Sequence, residues 1–255
     1  MITSSQNTKL KLVRALLGRA KERREAGAFL IEGVRLVEEA IIANWPMRFV
    51  LYADGISDRG LELVVTLTAK GVDVEQVSSD LLQSSSETET SQGILAVLND
   101  SRLPIPESPT FILIPDQIRD PGNLGTLLRS AAAAGVDAVL LPPETTDAFA
   151  PKVVRAGMGA HFRLPIHSLT WDEIQGYTKS KQIYLADMNG RSCWETDLRQ
   201  PLALIVGGEA DGASESARKL ATMSLSIPMP GKSESLNAGV AGSVLMFEVV
   251  RQRKL

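Results

Sequence analysis

Leu202-Ala203-Leu204-Ile205-Val206-Gly207-Gly208-Glu209-Ala210-Asp211-Gly212 is a short, wholly apolar run that stops abruptly in glycines. A strand without a polar side must be covered on both faces, the environment of a parallel sheet inside an α/β layer structure. At its carboxyl end Gly207-Gly208 lets backbone come close to another group, and Asp211-Gly212 closes the turn. The glycine spacing is not G-x-G-x-x-G, so dinucleotide binding is not indicated. As a plain strand-to-helix turn, the same glycines need no function.

Two further turns of this kind close predicted strands, at 116–125 and 227–237. Ligands of open α/β sheets bind outside the carboxyl ends of the strands, so three such turns point to one site assembled from distant loops. In the first turn Asn123 reads as an N-cap of a helix over 124–134 that buries Leu124, Leu127, Leu128 and Ala131. Arg129 falls off that stripe, on the side of Gly125 and Thr126. A capping Asn and a solvated Arg account for this turn equally well. In the third turn Gly231-Lys232-Ser233 has the look of a P-loop tail, but Ser226 stands where that motif needs its first glycine. Pro228 and Pro230 stiffen this loop, whose backbone could hold a ligand. Beyond Asn237, Ala238-Gly239-Val240-Ala241-Gly242-Ser243 is small enough for a flat ligand or for tight helix packing.

Strand-like runs at 110–114, 138–141, 182–186, 202–206 and 224–227 alternate with helical ones at 124–134, 151–158, 171–180, 215–221 and 237–253. This pattern predicts an α/β domain over 110–255 with a mostly parallel sheet and helices on both faces. Pro104, Pro106 and Pro109 among polar neighbours mark 101–109 as a linker. Residues 1–100 read as a smaller α/β domain: a helical stretch over 7–27, a helix over 33–43, and strands at 49–52, 72–77 and 94–98. The first stretch carries Lys9, Lys11, Arg14, Arg19, Lys21, Arg23 and Arg24 against Glu22 and Glu25. It suits a polyanion footprint or a solvated helix face, and Lys152, Arg155 and Arg163 offer a second patch.

Reactive side chains are scarce. The chain of 255 residues has two histidines, His161 and His167, six apart, and one cysteine, Cys193, with no metal-ligand spacing around them, so no metal is expected. A single cysteine excludes an internal disulfide framework and fits a reducing compartment. No apolar run is long enough to span a bilayer, and the first residues lack a signal-peptide core. A cytoplasmic protein without a membrane partner is the expectation. Chemistry must therefore come from backbone groups, carboxylates, amides and arginines.

Together, 123–131, 207–212, and 227–229 with 235–237 resemble, in order and spacing, the signatures of the SpoU (TrmH) family of SPOUT methyltransferases. The N-terminal Phe29-Leu30-Ile31-Glu32-Gly33 is similar to the substrate-binding domain often joined to them. The resemblance implies S-adenosylmethionine as methyl donor, a ribose 2′-hydroxyl of RNA as acceptor, a C-terminal trefoil knot, and a homodimer with sites at the subunit interface. Ribosomal RNA is favoured over tRNA, and a non-catalytic RNA-binding protein or a small-molecule methyltransferase are the other readings. By motif position, Gly207, Ile227, Met229 and Leu236 would line the donor, and Arg129, Asn123, Glu209, Ser235 and Asn237 would form the polar catalytic set. Ala238-Gly239 departs from many relatives, which carry a bulkier residue and then Ser there.

Overall fold

The computed structural model describes residues 1–86, 91–208, 212–231 and 235–254. The chain divides into two compact units, one of Met1–Ser101 with Phe149–Arg155 and one of Arg102–Ala148 with Ala156–Leu255.

The first unit begins with α1 (Thr8–Leu17), capped by Asn7, whose side chain accepts from the Lys9 amide. Leu10, Val13 and Leu16 form its buried stripe against Leu30, Phe49, Leu51 and Val97. The single helical stretch expected over 7–27 is in fact two helices, because the chain breaks at Gly18 and restarts as α2 (Ala20–Ala26). The break orphans carbonyls at the end of α1. Arg23, buried on α2, satisfies them: its Nη1 donates to Leu16 O at 2.7 Å and to Gly18 O at 2.8 Å. Lys9 is engaged as well, at 2.6 Å from Asp73 and 3.0 Å from Glu75. Burial works to lower its pKa, but the hydrogen bonds to those two carboxylates outweigh it and leave the pKa raised.

β1 (Ala28–Glu32), α3 (Val34–Ile42), β2 (Met47–Ala53), α4 (Asp58–Ala69), β3 (Val74–Val77), α5 (Ser79–Gln83) and β4 (Ile94–Asn99) complete this unit. Its sheet has the order β1-β4-β2-β3, with β4 antiparallel to both neighbours and β2 parallel to β3. Phe149 enters the unit edge-on to Phe29, ring centroids 5.0 Å apart. Helix α4 was not anticipated: Val64, Val65, Thr66 and Thr68 give it a strand-like composition, and its signal is the cap Ser57, which accepts from the Gly60 amide.

The second unit is a six-stranded, wholly parallel sheet of order β10-β8-β9-β5-β6-β7. In chain order the C-terminal part runs β5 (Phe111–Asp116), α6 (Pro121–Ala134), β6 (Ala138–Leu141), α7 (Pro151–Gly157, counted with the first unit as far as Arg155), β7 (Ile166–Ser168), α8 (Trp171–Thr178), β8 (Gln182–Ser192), β9 (Leu202–Gly207), α9 (Glu215–Leu220), β10 (Met223–Ser226) and α10 (Ala238–Arg253). The apolar run of β9 pairs along its length with β5, from Phe111 opposite Leu202 to Asp116 opposite Gly207. The three-residue edge strand β7 is too short to show in an apolar pattern.

Strand β8 also outruns its expected end at 186. It pairs Leu185 with Ser224 of β10, and the next pair is Arg191 with Leu225. Five residues, 186–190, therefore bulge out of the pairing before it resumes. Helix α10 lies close on α6. A Cβ at Gly242 would meet the Leu127 side chain at 2.3 Å and one at Gly239 would meet Thr126 at 3.2 Å. The Ser130 and Ser243 hydroxyls bond at 2.7 Å. Of the two uses open to the small stretch after Asn237, Gly239 and Gly242 thus serve helix packing.

Candidate active site

The turns after β9 and β10 meet at the carboxyl edge of the parallel sheet. Gly207 ends β9 against Asp116, and a Cβ on it would lie 2.6 Å from Ala213 N. A Cβ on Gly208 would lie 2.5 Å from Gln117 O. Backbone stands on both sides, so only glycine allows this turn. Asp116 fixes the turn's exit. It is fully buried, and its Oδ2 accepts from Ser214 N at 2.6 Å while the Ser214 hydroxyl caps α9. Burial pushes the Asp116 pKa up, and the hydrogen bond from Ser214 pulls against it. Its Oδ1 has no partner among the described residues.

A cavity of about 660 Å3 opens here, within the range of small-ligand sites. Gly207, Ile227, Met229 and Leu236, expected to line a donor, all border it, as do Ser235 and Asn237 of the expected polar set. Asn123 is brought to the same place from another element. The first helix starts earlier than expected: Asp120, not Asn123, is the N-cap, accepting from Asn123 N at 2.8 Å, with Pro121 next. Asn123 is thereby released from capping, and its Oδ1 accepts from Asn237 Nδ2 at 2.9 Å. Asn237 does two jobs, since its Oδ1 also caps α10 by accepting from Val240 N.

Arg129 is not among the cavity's lining residues. It is exposed on α6, while Leu124, Leu127, Leu128 and Ala131 are buried as the stripe predicts. Glu209 lies outside the described residues. Sequence reasoning missed the wall formed by Ala186, Asp187, Met188 and Asn189, which is the bulge of β8, and it missed Arg218 on α9. Only the polar tail after the apolar part of β8 hinted at that wall.

This arrangement offers a glycine-bordered, backbone-rich cavity for a small ligand, with an asparagine pair at its rim. It suits holding two reactants in line better than covalent catalysis.

The chain is similar in sequence and fold to known proteins. Residues 110–247 match the model of the SpoU rRNA methylase family, and residues 7–96 match that of the MRM3-like substrate-binding domain. The chain is 33% identical over 251 residues to the 23S rRNA (guanosine(2553)-2′-O)-methyltransferase RlmP of Bacillus subtilis, covering 97% of this chain and 98% of that protein. It superimposes with a TM-score of 0.86 on the SpoU methyltransferase AviRb of Streptomyces viridochromogenes in complex with AdoMet, at 31% identity, covering 98% and 99% of the two chains. An AdoMet-bound rRNA methyltransferase from Sinorhizobium meliloti gives 0.85 at 28% identity, over 98% and 97%.

Proposed function

The chain belongs to the SpoU rRNA methylase family, and on that premise we propose that it methylates a ribose 2′-hydroxyl of ribosomal RNA from S-adenosylmethionine. The observation that carries this reading is the convergence of three separate turns on one cavity, through Gly207, Ile227 with Met229, and Asn123 bonded to Asn237. The cavity's size and its glycine-cleared backbone fit the donor. When bound, the donor supplies an electrophilic methyl group on a sulfonium.

The protein's own work is placement and charge. Gly207, Ile227, Met229 and Leu236 hold the donor, largely through backbone. Asn237 positions the acceptor hydroxyl and Glu209 positions Arg129, with Asn123 and Ser235 completing the polar set. Arg129 stabilises the negative charge that develops on that oxygen or orients a neighbouring phosphate, because a guanidinium does not deprotonate in proteins. Residues 1–100 serve as the RNA-binding domain, 101–109 as a linker and 110–255 as the transferase domain, in line with the separate family matches. A trefoil knot in the C-terminal segment and a cytoplasmic location belong to the same reading.

So does a homodimer. Val240, Val244 and Phe247, on one face of α10, are exposed, and a second copy would cover them. Sedimentation should give a dimer that Phe247→Glu dissociates; a wild-type monomer would remove this part. For the reaction, tritiated donor is offered with unmodified ribosomal RNA and tRNA in parallel, and Arg129→Ala as control. Label on ribosomal RNA, lost in the variant, is the expected result. Label on tRNA alone would replace the acceptor, and no label on either would count against the reading.

A further inference from the structure

Among the described residues, only two charged side chains line the cavity, Asp187 and Arg218. All its other described lining groups are apolar, glycine, amide or hydroxyl. Asp187 sits on the bulge of β8 and Arg218 on α9, with Arg218 Nη1 3.4 Å from Asp187 Oδ2. That separation is long for an ion pair, which ordinarily closes to about 2.7–2.9 Å. Each head group is steadied by a different atom. Arg218 Nε donates to Ala213 O at 3.2 Å, and Asp187 Oδ1 accepts from Asn189 N at 2.9 Å. Arg218 Nη2 lies over Gly212, where a Cβ would come within 3.3 Å of it, and donates to no described residue. The pair is also partly solvated, with 51% of the Arg218 side chain and 24% of Asp187 exposed, so it adds little to stability.

One anion and one cation, each held in place yet loosely joined, face a cavity read as the donor site. The donor has a complementary end, an α-amino acid with an ammonium and a carboxylate. We propose that Asp187 and Arg218 form the subsite for that end, Arg218 taking the carboxylate and Asp187 the ammonium. The nucleoside then falls to the apolar and backbone part of the lining. This inference rests on the donor reading above. It assigns specificity to residues outside all three turns, on the bulge and the helix that the turns leave out.

Titration calorimetry on the full chain tests it with two probes: S-adenosylhomocysteine, which keeps the amino acid, and 5′-methylthioadenosine, which lacks it. Arg218→Gln is expected to weaken S-adenosylhomocysteine by about 10–100-fold, the usual effect of deleting one charge-assisted hydrogen bond, while 5′-methylthioadenosine changes by less than about twofold. Asp187→Asn should act in the same direction, and Arg218→Lys should recover part of the loss. Retained 5′-methylthioadenosine binding shows that the variant is folded. Equal weakening of both probes would overturn the subsite and leave the pair as a strap across the 212–213 turn. No weakening of either would overturn it too, as would a wild type that binds both probes equally. A wild type that binds neither probe would instead bring down the donor reading, and this inference with it.

Discussion

Arg23 in the first unit and Arg129 in the second carry the same head group on helices, yet their surroundings differ completely. Arg23 is buried, closing the carbonyl ends that the break at Gly18 leaves open. Lys9 is tied to Asp73 and Glu75, and Arg14 donates to Ser5 O. Arg129 is exposed and bonded to no described residue. A dense run of cations thus loses part of its external charge to the fold, while a lone cation keeps all of its own. Counting positive residues measures how much charge is available, and geometry decides how much of it faces outward.

Arg129→Ala tests the exposed side of this contrast most severely. Turnover should fall about 10²–10³-fold, the usual effect of removing a group that stabilises transition-state charge. Donor affinity and melting temperature should stay as in wild type. Near-normal turnover in Arg129→Lys would show that the forked geometry is not needed. His161 extends the contrast to a buried base of the second unit. Its Nε2 lies 2.7 Å from Ala148 O, and burial lowers its pKa from 6.5 to about 4. The unfolded ring takes up its proton near pH 6.5 and the folded one only near pH 4, so stability falls as the pH drops through that window. The loss amounts to about 3 kcal/mol. Urea unfolding at pH 7 and pH 4.5 should show a drop that His161→Gln largely removes; an equal drop in the variant would assign it to other groups.

Arg23→Met should destabilise the protein by about 1–3 kcal/mol by leaving buried carbonyls unpaired, with little change in RNA affinity. A large affinity loss at unchanged stability would reverse its assignment. The smallest effect belongs to the cations left outside. Lys11, Arg19 and Arg24 are exposed. Changing each to Gln should leave stability alone and reduce the salt dependence of RNA binding by about one unit of log–log slope for every phosphate no longer neutralised. Retention of the full slope would take these helices out of the interface.

The middle of the second unit's sheet was legible because β5, β6 and β9 are mostly apolar and the turns after them carry glycine, proline and asparagine; 138–141 coincides with β6, and 202–206 falls one residue short of β9. Signals that depend on distant partners were not legible. One helix was expected over 7–27, since nothing local says that Arg23 serves a break at Gly18. Asn123 reads as a cap from the sequence because Asn is a good one, but Asp120 with Pro121 is better placed, and that leaves Asn123 for Asn237. The cavity wall at 186–190 arises from a register jump against β10, which no periodicity in β8 announces.

The Asn123–Asn237 bond joins residues 114 positions apart. Such a contact closes a very long loop, whose entropic cost must be met before the contact repays it. The rim of the cavity is therefore expected to form late. During refolding, ligand affinity should return after helical signal and core burial have recovered, which makes a bound nucleoside a clock for the final stage of folding.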